Sequence, residues 1–133
     1  MRGLGLPESW APMTHGILRI TTGLIFMQHA IQRLGFPESL PKLPVGSFFW
    51  LAAIPNLIGG TLILLGLFTR PVAFLLCGEM AVVYWVFHAP QSFFPLVNKG
   101  DAMILYCFVF LFLSAAGPGA WSFDAARGRV PRA

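Results

Sequence analysis

The chain has 133 residues, a length for one domain and not two. It is 56% hydrophobic and 11% charged, under half the charge of an ordinary soluble domain, which excludes a conventional soluble fold. The net charge of +4 is no nucleic-acid signature, because the basic residues are spread along the chain and gather only at its end. These features predict an all-α integral membrane protein, a bundle of four transmembrane helices in a single domain, 1–133.

A membrane-spanning helix needs about 20 apolar residues, with a range of about 17–25. The first candidate is 17–34, "ILRITTGLIFMQHAIQRL", the polar member that hydropathy alone would miss. Pro37, Pro41 and Pro44 follow it and cannot continue a helix. The second is 48–68, "FFWLAAIPNLIGGTLILLGLF". Thr69-Arg70-Pro71 then makes a tight turn, with proline opening the next helix. The third is 71–89, "PVAFLLCGEMAVVYWVFHA", ended by Pro90. Asn98-Lys99-Gly100 is a loop, and the fourth span, 101–117, starts with Asp101 as its N-cap.

Four spans put both termini and the turn at Arg70 on one face. That face holds Arg2, Arg70, Arg127, Arg129 and Arg132, against Lys42 and Lys99 on the other, with Arg33 near its edge. The positive-inside rule then sets both termini in the cytoplasm of a bacterial inner membrane. The N-terminus, with Pro7 and Pro12, does not read as a signal peptide. Trp10, Trp50 and Trp121 suit interfacial anchors.

Small residues recur at Gly16, Gly23 and Ala30, and again at Ala52, Gly59 and Gly66. Such stripes let helix backbones approach in lipid, so the first two helices should pack together.

His15, Arg19, Thr22, Phe26, His29 and Arg33 share one face of the first helix, flanked by Gln28 and Gln32. A face this polar should point into the bundle or a wet cavity. Glu79 on the third helix and Asn56 on the second need the same shelter. By helical rise both lie near the midplane, within reach of the long Arg19 side chain. Glu79 is then either a structural partner of Arg19 or Asn56, or an intramembrane functional group. Arg33 can snorkel to the interface. His88 reads as an interfacial residue beside Pro90, whereas His29 lies deeper on the polar face and is the stronger functional candidate. Tyr84 and Trp85 fit packing as well as a site. The candidate polar site is therefore His29, Gln32, Asn56, Glu79, Tyr84 and His88, and the candidate ion pair is Arg19 with Glu79.

No metal site, zinc spacing, phosphate loop or nucleophile motif is present. A haem held by His29 and His88 is disfavoured by their different depths. Cys77 and Cys107 are expected at different depths too, too far apart for a disulfide.

The segments "GLIFMQHAIQRL", "LIGGTLILLGLFTRP", "GEMAVVYWVFHAP" and "FFPLVNKGDAMILYCFVFLFLSAAGPGAWSFDA" occur in this order. Together they resemble the DoxX family of small bacterial membrane proteins, from about Leu18 to Asp124. Family members often have Gly where Ala30 stands, Glu where Asn56 stands, and "NGGE" where this chain has "NKGD" at 98–101. Glu79 is thereby left as the one acid near the midplane. The resemblance implies the four-span fold. It also implies association with quinone-linked redox chemistry, since the family is named from a subunit associated with an archaeal quinol oxidase system. Related proteins are linked to thiosulfate oxidation with quinone as acceptor, and others to oxidative or thiol stress alongside further proteins.

Two functions follow as expectations. One is a quinone-linked redox protein, with a quinone headgroup near His29, Tyr84 and Glu79, and Glu79 passing a proton. No intrinsic cofactor is expected, and no electron carrier is evident in the chain, so quinone and a partner subunit are required. The other is a non-catalytic accessory subunit of a larger membrane complex, bound through its lipid-facing surface to other subunits or to further copies. A small transporter fits less well, because the chain has no pair of broken helices.

Overall fold

The computed structural model describes residues 3–128; Arg2, Arg129 and Arg132, used above for orientation, lie outside them. Among the described residues the protein is helical, with no strand. Two compact units make it up, one from residues up to Phe68 together with Pro118 onward, the other from Thr69–Gly117.

In the first unit, α1 (Ala11–Arg33) packs on α2 (Phe48–Leu65). Helix α1 begins earlier than its apolar stretch suggested, because Pro12 sits in the first turn, where the missing N–H has no intrahelical partner to lose. Helix α2 stops at Leu65, three residues short of the expected end. Gly66 caps it with φ 69°, a left-handed conformation that glycine adopts without a Cβ penalty.

The two helices meet where backbone touches backbone. A Cβ on Gly23 would lie 2.9 Å from the Leu64 nitrogen and 3.1 Å from the Gly60 oxygen, and one on Gly60 would lie 2.7 Å from Met27 Cγ. The small-residue expectation is therefore met by Gly23, but α2 answers with Gly60. Gly16 faces Ala120 and Gly66 faces Ser122. Those two glycines make room for the chain that returns after the last long helix.

That returning segment docks on α1 and α2 through its backbone. Ala120 N–H donates to the Pro12 carbonyl (3.2 Å), and Asp124 N–H donates to the Gly66 carbonyl (3.0 Å). Phe68 N–H donates to Asp124 Oδ1 at 3.0 Å. A short helix, Phe123–Ala126, follows, its N-cap Ser122 Oγ accepting from Ala125 N–H at 3.0 Å.

In the second unit, α3 (Thr69–Val83) runs on through a π-helical turn at Tyr84–His88 and a 3-10 turn at Ala89–Gln91. Helix α4 (Pro95–Asn98) leads into α5 (Asp101–Ala116), which packs back on α3. Gly100, not Asp101, takes the N-cap position of α5. The Asp101 carboxylate lies in the first turn, where it complements the helix dipole.

Three contacts fix the register of α3 and α5. Arg70 Nη1 donates to the Ala115 carbonyl at 2.6 Å, Cys77 Sγ and Cys107 Sγ are 3.7 Å apart, and Gly100 packs against the Tyr84 ring. The pairs step up one helix and down the other by about two turns each time, so the helices are antiparallel. This corrects the expectation that Cys77 and Cys107 lie at different depths. The chain from Ser92 to Asn98 folds back toward the helix end, so α5 starts level with Tyr84. Cys107 is thereby brought opposite Cys77, and both remain free thiols.

Helix α2 and the helical stretch Thr69–Gln91 are long and apolar enough to cross a membrane, and α5 is a shorter apolar helix. Few residues of the two longer candidates are fully buried in the chain itself, and Phe48, Leu51, Ile54, Ile58, Phe74, Leu75, Val82 and Trp85 among them are exposed.

Candidate functional site

Among the described residues, Arg19 is the largest fully buried side chain. Its Nη1 donates to the Pro118 carbonyl at 2.7 Å and, more weakly, to Ala120 at 3.4 Å, while Nη2 donates to the Trp121 carbonyl at 2.8 Å. Within its unit, the charge of Asp124, buried on the short helix after Ser122, acts on Arg19. The planar guanidinium bridges several carbonyls at once, a task a lysine ammonium does poorly. This end of the polar face is therefore committed to holding the returning segment.

The remaining face of α1 divides. Thr22, Phe26 and Ala30 are buried, whereas His29 is exposed. His29 Nδ1 meets the Ile25 carbonyl at 2.9 Å, one turn back. Gln32 Nε2 donates to the Pro41 carbonyl at 3.1 Å and ties the helix end to the following loop. Arg33 stacks over the Phe49 ring, its Cζ 5.6 Å from the centroid, so its charge is spent on an aromatic neighbour. Asn56 is buried on α2, on the same face as Ala53, Gly60 and Ile63.

In the second unit Tyr84 and His88 are brought together, and the residue that joins them is Asn98. His88 Nδ1 meets the Asn98 carbonyl at 2.9 Å. Asn98 Nδ2 donates to the Ser92 carbonyl at 3.0 Å and to the Tyr84 hydroxyl at 3.4 Å. Asn98 Oδ1 accepts from Gly100 N–H at 2.8 Å. Asn98 is 1% exposed, so these bonds replace all of its water. Tyr84 and His88 stand at the two ends of the π-helical turn, a helix distortion that recurs at functional sites. Glu79 lies on α3 below that turn, half-buried.

The bonding fixes protons. A carbonyl can only accept, so His88 Nδ1 carries a hydrogen and Nε2 is left outside this bond. The Tyr84 oxygen accepts from Asn98, so its own hydrogen is available to donate. One half-buried wall thus offers a tyrosine O–H and an imidazole side by side. Asn98 was read only as a loop residue. The Asn-Lys-Gly order carried a signal for it: an asparagine side chain capping the N–H two residues on is an Asx turn, and Lys99 takes the left-handed conformation at φ 59°.

A model of the DoxX family matches residues 15–89, which include Arg19, Glu79, Tyr84 and His88. The chain is 35% identical over 124 residues to an uncharacterized protein of Haemophilus influenzae, covering 88% of this chain and 92% of that one. It is 28% identical over 141 residues to an uncharacterized membrane protein of Mycobacterium tuberculosis, covering 87% and 86%. No solved structure matches.

Proposed function

We propose that this chain, which belongs to the DoxX family of membrane proteins, works in a quinone-linked redox assembly of the bacterial cytoplasmic membrane, with both termini on the cytoplasmic side. The observation that carries the reading is the junction of Tyr84, His88 and Asn98. In this reading Tyr84 donates a hydrogen bond to a quinone carbonyl, His88 Nε2 receives a quinol proton, and buried Asn98 holds both groups in place. Glu79, an acid in an apolar helix, passes protons onward. A bound quinone supplies the electron chemistry, and the chain's own residues orient the headgroup and handle protons.

One observation favours a second reading, that of an accessory subunit. The His29 imidazole is exposed on α1, and a polar ring on a membrane helix is better accommodated where another protein covers it than in lipid. A partner subunit or a second copy would do so. Native mass spectrometry on protein extracted gently from its own membrane separates the two. A quinone-sized adduct on the single chain supports the redox site. A stable assembly with other subunits, and no small molecule on this chain, supports the accessory role and sinks the first reading.

A further inference from the structure

Cys77 and Cys107 are free thiols on facing helices, their sulfurs 3.7 Å apart. We infer that this pair is a redox-active dithiol that reduces an organic hydroperoxide dissolved in the bilayer and closes into a disulfide joining α3 to α5. The inference is independent of the quinone reading and gives the chain a two-electron carrier of its own.

Three observations support it. The sulfurs are already in van der Waals contact and are held level by the contacts above and below them, Arg70 with Ala115 and Tyr84 with Gly100. A disulfide needs a separation of about 2.05 Å, so the remaining travel is within reach of a side-chain rotation and a small helix shift. Both cysteines are half-buried and not sealed in. Beside Cys77, Gly78 opens onto empty space, with nothing within 4 Å of where its Cβ would be. The surrounding outward side chains are apolar: Phe74 and Leu75 on α3, Leu105 and Phe108 on α5. A reactant reaching this pair therefore comes through hydrocarbon, which admits an organic hydroperoxide and keeps out charged thiol reagents.

The chemistry balances. One sulfur attacks the outer peroxide oxygen; an S–O bond forms, the O–O bond breaks, and the alcohol leaves with the thiol proton. The second sulfur attacks the resulting sulfenic sulfur; the S–S bond forms, the S–O bond breaks, and water leaves with the second proton. Two thiols are oxidised by two electrons, and one hydroperoxide becomes one alcohol and one water.

The test uses the full chain in lipid nanodiscs treated with cumene hydroperoxide, then quenched in acid, unfolded and labelled with a maleimide. The expected result is loss of both labelling sites together, a mass lower by two hydrogens, and a cross-linked peptide containing Cys77 and Cys107, all reversed by a reductant. Cys77→Ser, close to isosteric, should leave a sulfenic acid at Cys107 that dimedone traps, and Cys107→Ser the converse. Two labelled thiols persisting at hydroperoxide levels that oxidise a control dithiol in the same bilayer would overturn the proposal. A disulfide formed only between chains would overturn it as well. Equal rates with hydrogen peroxide and cumene hydroperoxide would overturn the bilayer route.

Discussion

Arg19 Nη2 donates to the backbone carbonyl of Trp121 at 2.8 Å. A cation near the start of the first long helix thus holds a segment about a hundred residues later in the chain. A charged donor inside a protein costs less when its hydrogen bonds are met, and carbonyls of the returning segment accept from both terminal nitrogens of Arg19.

Arg19→Lys should keep the charge and lose the bridge. Hydrogen bonds to charged groups are worth about 1.5–3 kcal/mol each, so a loss of about 2–3 kcal/mol is expected, and Arg19→Ala should lose more. Thermal unfolding in lipid nanodiscs measures the loss. Limited proteolysis should show earlier cleavage between Pro118 and Asp124 in both variants.

Gly66 and Gly46 separate backbone strain from crowding. Both have positive φ, 69° and 83°. A Cβ on Gly66 would meet Ser122 and the Arg19 guanidinium, whereas one on Gly46 meets nothing within 4 Å. Gly46→Ala should therefore cost only the left-handed penalty of about 1–2 kcal/mol. Gly66→Ala should cost clearly more and should loosen the Arg19 clamp. Equal losses for the two would show that the returning segment does not press on Gly66.

Much of this fold was legible in sequence. Apolar length and proline punctuation located α2, α3 and α5 to within a few residues. The polar face of α1 marked Arg19 and Thr22 as residues needing shelter. What covers Arg19 was not legible, because backbone carbonyls carry no side-chain signature and "GPGAW" names none of the acceptors it supplies. The same limit hid the depth of α5. Counting residues along ideal spans treats a connection as a simple turn, whereas Ser92–Asn98 folds back and moves Cys107 level with Cys77. Tyr84 and His88 were legible as polar residues in an apolar helix. Asn98, which joins them, was hidden because a loop asparagine is ordinary until its buried partners are known.

Asn98→Ala should remove the bonds to Ser92, Tyr84 and Gly100 together. Loss of about 2–3 kcal/mol is expected from leaving these groups unmatched. Asn98→Asp keeps the acceptor for Gly100 N–H and loses the amide donors, so it should fall between Asn98→Ala and the unmodified protein. Hydrogen exchange should rise across 84–100 in both.

Tyr84→Phe removes one hydroxyl and keeps the ring that packs on Gly100. Stability should change by less than about 1 kcal/mol, while quinone affinity should fall about threefold to tenfold, the worth of one neutral hydrogen bond. Unfolding and quinone titration on the same sample give both numbers. Glu79→Gln should leave quinone binding intact and stop quinone-linked turnover of the assembly; unchanged turnover would remove Glu79 from the proton path.

The most direct test of the account maps where quinone touches the chain. A photoactivatable azido-quinone is added to the protein in nanodiscs, cross-linked, and the labelled peptides are sequenced by mass spectrometry. Saturable labelling within 84–98 is expected, competed by unmodified quinone and weakened in Tyr84→Phe and His88→Gln. Labelling that does not saturate, or that falls entirely on other helices, would contradict the account.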